Sequence, residues 1–199
     1  NNPADPAQGT HDITFSRHLW IEEDDFMEVP VPKYKRLTPN GPECRLKGAY
    51  LIKCVGYETD ENGNVTEIAA EYDPNSRGGD PADGRKVKGA TIHWVDAATA
   101  VDAEVRLYDN LFTDANPDAA DKDFMDCLNP NSLEVLTDCK VESGLAAAAD
   151  SYAAGHEAGK TAPGFQFMRL GYFCLDSKDT KAGHPVFNRS VSLKDSFKK

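Results

Sequence analysis

The turn Asp60-Glu61-Asn62-Gly63-Asn64, set between two β-prone runs, narrows the fold more than any other feature of the chain. Asn-Gly supplies the positive φ angles of a tight hairpin, whose twist matches that of the strands it joins. Residues 50–57 are therefore predicted to return antiparallel as residues 65–72. Farther on, Val101, Ala103, Val105 and Leu107 alternate with Asp102, Glu104, Arg106 and Tyr108, the period of a strand buried on one side. Further strands are predicted around Ile13, Phe15 and Leu19-Trp20-Ile21, and over 86–95, 133–141, 165–175 and 186–193. Many short strands with turn-rich joints point to an all-β fold of antiparallel barrels or sandwiches.

Between the strands, residues 73–84 form a Gly, Pro and Asp loop, and 116–128 a loop with one short helical turn. Residues 1–12 read as a linker or frayed end. The alanine-rich stretch 143–160 departs from the β pattern, because alanine favours helix and Ser143 can cap it. With Leu145 and Tyr152 as its only large apolar groups, it is predicted to be an exposed helix or a mobile insertion.

At 199 residues the chain can bury a core and hold one large β domain or two small ones. No stretch approaches the roughly 20 apolar residues of a membrane helix, and the first residues carry no signal-peptide pattern, so a cytoplasmic protein without a membrane partner is expected. Its five cysteines, Cys44, Cys54, Cys127, Cys139 and Cys174, have no CxxC spacing and suit buried free thiols. The net charge of -11 argues against DNA or general nucleic-acid binding, which needs cations to neutralise phosphates. The charge is uneven, however. From Lys33 to Lys53 six bases face the single acid Glu43, whereas residues 22–28 and 109–126 are acidic blocks. A local basic face on an acidic body is the expectation.

Catalytic patterns are missing: there is no GxSxG, P-loop or HExxH, and the five histidines have no ligand spacing to the cysteines. No metal or cofactor is expected on this chain. Binding chemistry is better represented. The run Gly164-Phe165-Gln166-Phe167-Met168-Arg169-Leu170-Gly171-Tyr172-Phe173-Cys174-Leu175-Asp176 sets two planar hydrogen-bonding side chains in an apolar, β-prone segment. Gln presents a donor and an acceptor together, Arg a fixed fork of donors, and aromatics can pack beneath or stack on bases. On one straight strand, residues three apart face opposite ways, so Gln166 and Arg169 need a bulge or two different targets. Acidic partners on a barrel surface remain an alternative for Arg36 and Arg45, as does a satisfied edge-strand amide for Gln166.

That run, with Tyr34-Lys35-Arg36-Leu37, Arg45-Leu46-Lys47, the stretch from Asp80 through Arg85-Lys86-Val87-Lys88-Gly89 to Val95, and Pro185-Val186-Phe187-Asn188-Arg189-Ser190-Val191, closely resembles the C-terminal anticodon-binding region of bacterial glutaminyl-tRNA synthetases. The resemblance runs from about Ile13 onward. It implies two small antiparallel β-barrels, ribosomal protein L25-like, with short helical insertions, spanning 13–199 and exchanging strands. By the resemblance, Arg36 and Arg45 lie at anticodon bases, Lys35 nearby on phosphate or base, Gln166 at the central uridine, and Arg169 at the adjacent base or backbone. Arg85, Lys86, Lys88 and Arg189 are expected in the scaffold. The implied partners are the anticodon loop of glutamine tRNA and the catalytic domain of the same polypeptide.

The nucleotide-binding signatures of class I synthetases, of the His-Ile-Gly-His and Lys-Met-Ser-Lys-Ser type, do not occur. The chain is thus expected to be inactive alone, with ATP and magnesium bound elsewhere in a parent glutamine-tRNA ligase. In the family another arginine, on a strand preceding the first residue of this chain, helps read the central uridine, so one barrel is expected to lack its first strand. Two departures stand out: Lys33 occupies a position where glutamine is common in bacterial relatives, and 38–43 is one residue longer than usual. Alternatives are the anticodon domain of a glutamyl-tRNA synthetase, a ribosomal-protein-like RNA-binding barrel, and an acidic protein-interaction module.

Overall fold

A computed structural model describes residues 5–119, 121–155 and 161–193. The chain divides into two compact units, Asp12–Ala98 and Thr99–Lys199 with Asn1–His11. In the first unit lie β1 (Leu19–Ile21), β2 (Cys44–Leu46), β3 (Leu51–Thr59), β4 (Val65–Asp73), β5 (Thr91–Ile92) and β6 (Trp94–Asp96). The second holds β7 (Val101–Tyr108), β8 (Leu133–Val141), the helix α1 (Ser143–Gly155), β9 (Gly164–Phe167), β10 (Gly171–Leu175) and β11 (Val186–Ser192). The all-β class with small helical insertions holds.

The first unit has a four-stranded sheet in the order β4-β3-β2-β5 and a separate β1-β6 pair. The predicted hairpin is β3–β4, with Gly63 at φ +85 in its turn, a conformation that costs a residue without Cβ little. Alternation along β2 buries Cys44 and Leu46 and turns Arg45 to the other face. The buried side joins Leu37, Ile52, Ile92 and Trp94, against which Phe15 and Tyr50 pack, with Phe15 4.9 Å from Tyr50 and 5.5 Å from Trp94. The predicted strand over 86–95 reduces to β5 and β6, and only Leu19–Ile21 of the first predicted strand pairs.

The second unit has a five-stranded sheet in the order β8-β7-β11-β10-β9. Ala103 and Val105 point from β7 into its core, where Phe167, Phe173 and Phe187 meet, with Phe167 stacked 4.2 Å from Phe173. Two expectations fail here. Neither sheet closes into a barrel, and neither is wholly antiparallel, since β2–β5 and β7–β11 pair in parallel. Each parallel pair is joined by a connection of the length that such a crossover requires. Of the exposed helix or mobile insertion expected over 143–160, the described part is the helix α1 with most residues exposed, and Ala146 and Ala149 are buried in the second core, their small side chains allowing the helix close to the sheet. Its first helical hydrogen bond, Ala146 N–H to Glu142 O at 3.0 Å, puts Glu142 rather than Ser143 at the cap. Residues 156–160 of the predicted helix lie outside the described residues.

Candidate nucleic-acid interface

The segment before β2 is shaped by two proline turns. Tyr34 N–H donates to Val31 O at 3.0 Å with Lys33 at φ +71, and Gly41 N–H donates to Thr38 O at 3.0 Å with Asn40 at φ +57. In each, proline occupies the second position and a residue with positive φ the third, the form of a type II turn. The longer 38–43 connection is thereby taken up in a tight turn, and Lys33 is held in a turn conformation with its side chain exposed.

Between these turns the acidic block folds back onto the basic stretch. Phe26 bridges to Leu37, and Leu37 N–H donates to Asp25 O at 3.0 Å. Arg36 Nε lies 3.2 Å from Oδ1 of Asp25, a carboxylate with 0% exposure, and Arg36 Nη1 donates to the Asp24 carbonyl at 2.8 Å. The Tyr34 hydroxyl donates to the same carbonyl, and its ring lies 5.9 Å below the guanidinium. Arg45, on the outer face of β2, donates from Nε to Gly79 O at 2.8 Å and from Nη2 to Asp80 at 3.3 Å. Among the described residues, Nη2 of Arg36 and Nη1 of Arg45 have no partner. The ammonium of exposed Lys35 also pairs with nothing described.

The expected basic face is therefore partly neutralised, because residues distant in sequence supply carboxylates to both arginines. The lone acid of the basic stretch is neutralised in turn. Arg85 grips Glu43 through Nε at 3.0 Å and Nη2 at 2.9 Å, and reaches Asp73 at 2.7 Å and Asp83 at 3.0 Å. These bonds, those to Glu43 first, push the Arg85 pKa up. The Arg85 guanidinium depresses the Asp73 carboxyl, and the Arg85 backbone N–H does the same for Asp83. Arg85 thus clamps the 80–84 loop to the end of β4, a scaffold role.

In the second unit, the expected single strand over 165–175 is instead a hairpin. Leu170 N–H donates to Phe167 O at 3.0 Å, and Arg169 stands at φ +67 in the turn between β9 and β10. Gln166 and Arg169 consequently do not share a strand, and no bulge is needed to explain their spacing. Gln166 lies on β9 at the edge of the five-stranded sheet, exposed, with its neighbours Phe165 and Phe167 turned to the core. Its side-chain amide has no partner among the described residues, which removes the satisfied-amide alternative there. The opposite end of the same sheet surface carries a fixed network: Arg106 bonds Glu104 at 2.6 Å, Asp179 at 2.7 Å and Asp176 at 3.3 Å, while Asn188 donates to Asp176 at 2.8 Å. Burial alone would raise the Asp176 pKa, but Asn188, backbone N–H groups of Asp179 and Lys178, and Arg106 together hold it below the usual value.

Lys35, Arg36 and Arg45 therefore belong to the first unit, and Gln166 and Arg169 to the second. Two features escaped sequence reasoning. The Asp25–Arg36 pair joins blocks that a linear charge count keeps separate, and the left-handed Arg169 is not a residue type that signals a turn.

Two family models match the chain, over residues 1–73 and 91–176, each described as tRNA synthetases class I (E and Q), anti-codon binding domain. The chain is 51% identical over 197 residues to the glutamine--tRNA ligase of Bordetella avium (strain 197N), covering 98% of this chain and 31% of that protein. It is 50% identical over 199 residues to the glutamine--tRNA ligase of Vibrio campbellii (strain ATCC BAA-1116), covering 100% and 33%. It is 48% identical to that of Bradyrhizobium diazoefficiens over 199 residues, again covering 100% and 33%. The chain spans about a third of the length of these relatives. With one match falling mainly on each compact unit, the chain belongs to the anticodon-binding domains of the class I (E and Q) tRNA synthetases.

Proposed function

We propose that this chain reads the anticodon loop of glutamine tRNA for a cytoplasmic glutamine-tRNA ligase, whose ATP-dependent chemistry takes place on another part of that enzyme. The observation that carries the reading is Gln166, an edge-strand amide that is exposed and has no partner among the described residues. Anticodon bases are unpaired, so a side chain offering one donor and one acceptor can bond a Watson–Crick edge directly. Gln166 takes the central uridine. The free guanidinium nitrogens of Arg36 and Arg45 contribute at neighbouring bases, Lys35 at a phosphate, and Arg169 at the backbone or adjacent base. The family covers both E and Q enzymes, and the relatives named above are all glutamine--tRNA ligases, which favours glutamine.

ATP and magnesium are expected to bind elsewhere in the parent enzyme, not on this chain. Among the described residues no group of three or more His, Cys, Asp and Glu is placed to hold a metal ion. The start of α1 is covered, with His11 Nε2 2.5 Å from Glu142 and both side chains against Gly144, so its N–H groups offer no open phosphate cradle. The chain on its own should show no ATP–pyrophosphate exchange, and exchange that survives repurification would overturn this. No helix among the described residues is long and apolar enough to cross a membrane.

The test is a salt series of binding to glutamine tRNA and to the same tRNA with its central anticodon base replaced. Gln166→Ala should cost ~1–3 kcal/mol on the matched tRNA and much less on the substituted one. Lys35→Ala should weaken both alike and flatten the salt dependence by somewhat less than one unit of slope. Equal losses on both tRNAs for Gln166→Ala would remove it as a base reader.

A further inference from the structure

Gln166 is one end of a row. It stands directly opposite Tyr172 on β10, and Tyr172 stands opposite Val191 on β11. Directly opposed residues share a face, with Cβ atoms about 4.5–5.5 Å apart. Phe165, Phe167 and Phe173 occupy the alternate positions and enter the core, so the row lies on the outer side. Tyr172 is 48% exposed and Val191 57%.

Tyr172 differs from the other six tyrosines of the chain. Tyr34, Tyr57 and Tyr108 donate their hydroxyls to Asp24, Glu28 and Asn188. Tyr50 and Tyr72 pack on Phe15, and Tyr152 packs on the second core. The Tyr172 ring meets no other ring, and its hydroxyl has no partner among the described residues. Backbone irregularity maintains this placement. The β10–β11 register shifts after Tyr172, with Phe173 opposite Arg189, so Ser190 is the extra residue and Val191 comes to face the ring. Such bulges re-aim side chains. Gly171 permits the close approach, since a Cβ there would lie 2.4 Å from the Val191 carbonyl.

We infer that Tyr172, flanked by Val191, is a stacking platform for an unpaired nucleobase whose Watson–Crick edge is turned to the Gln166 amide. The inference rests on the reading of the chain as an anticodon binder and adds a residue that holds the base while Gln166 identifies it. An exposed aromatic beside a polar reader on a sheet surface combines the two contacts that single-stranded RNA offers, a π face and a bonding edge.

The experiment uses the full 199-residue chain and a fluorescein-labelled anticodon stem-loop of glutamine tRNA, in three forms: intact, with the central base replaced, and with the central position abasic. Tyr172→Ala should weaken binding of the intact loop by about 5- to 150-fold, the range of a lost base–aromatic stack, and leave the abasic loop unaffected. Tyr172→Phe, which keeps the ring, should bind the intact loop within about twofold of the unaltered chain. Unchanged affinity of Tyr172→Ala for the intact loop would overturn the platform, as would equal losses on intact and abasic loops. If the unaltered chain prefers the intact loop over the base-replaced one while Tyr172→Ala retains full affinity, the platform alone falls. If the unaltered chain shows no such preference, the anticodon reading itself fails and the platform with it.

Discussion

Replacing Arg36 by alanine should unfold the first unit more readily, because this side chain is the counter-charge of a carboxylate that water does not reach. Asp25 has 0% exposure and Arg36 34%, with 3.2 Å between them. Breaking a fully buried pair from one side costs roughly 3–5 kcal/mol, and an exposed pair contributes about 0–1. A pair closed at one end and a third open at the other falls between, at about 1–2 kcal/mol, and the further contacts of Asp25 keep it from the upper limit. The hydrogen bond from Nη1 to the Asp24 carbonyl adds about 1 kcal/mol. The expected loss for Arg36→Ala is thus about 2–3 kcal/mol. Trp20 and Trp94, the two tryptophans of the chain, both lie in the Asp12–Ala98 unit, so selectively excited tryptophan fluorescence follows that unit. With a urea dependence of about 1–3 kcal/mol per molar, the midpoint should fall by roughly 0.7–3 M. Lys35→Ala should stay within about 0.5 kcal/mol, and Asp25→Asn should recover part of the Arg36→Ala loss by removing the stranded charge. An unchanged midpoint for Arg36→Ala, or the absence of coupling with Asp25, would refute the reasoning.

Ser76→Ala should destabilise the first unit by about 1–3 kcal/mol, because the fully buried Ser76 hydroxyl accepts from Leu51 N–H at 2.8 Å and donates to Asp73 O at 2.7 Å; a urea titration read by tryptophan fluorescence checks it. Burial pushes the Cys44 thiol up to about 11, so a thiol reagent at pH 7 should label Cys44 only as the unit unfolds, and labelling at the rate of a free thiol under native conditions would contradict its burial. The Asp73, Asp83, Asp96 and Asp176 carboxyls are all depressed in the folded chain, Asp96 by the Ser16 and Thr14 hydroxyls. Their stabilisation is complete above the unfolded value of about 3.9 and is lost as pH falls through the folded values, so the urea midpoint should be level from about pH 7 to 5 and drop below about 4.

What could be read in the sequence was local and periodic. The Asn62-Gly63 turn, the alternation along β7 and the extents of β8 and β11 were all legible, because each depends on residues adjacent in the chain. Arg169 illustrates the limit. Nothing in an arginine announces a positive φ, so β9 and β10 read as one continuous apolar strand until the sheet forces the turn. Strand β2 was missed because three residues ending in Leu46 carry too little periodicity, and it exists through its partners β3 and β5. The site followed the same division. Gln166 and its flanking phenylalanines were visible as a pattern, whereas the carboxylates that hold Arg36 and Arg45 come from Asp25 and Asp80, which only the fold brings near.

The position of β11 bears on the order in which the second unit can assemble. Strands β9 and β10 form a tight hairpin that can close early from contacts near in sequence, while β7 and β8 pair antiparallel across the longer connection 109–132. Among the described residues, strand β11 is the one that pairs with both, with β10 on one edge and, in parallel, with β7 on the other. Val186 must find Glu104 across a long stretch of chain before that link exists, and closing a loop of such length has an entropic cost that slows folding. Until then each pair has an open edge where β11 belongs, a template for pairing with another copy. Slow, concentration-dependent refolding of this unit is the kinetic signature that a centrally inserted strand imposes.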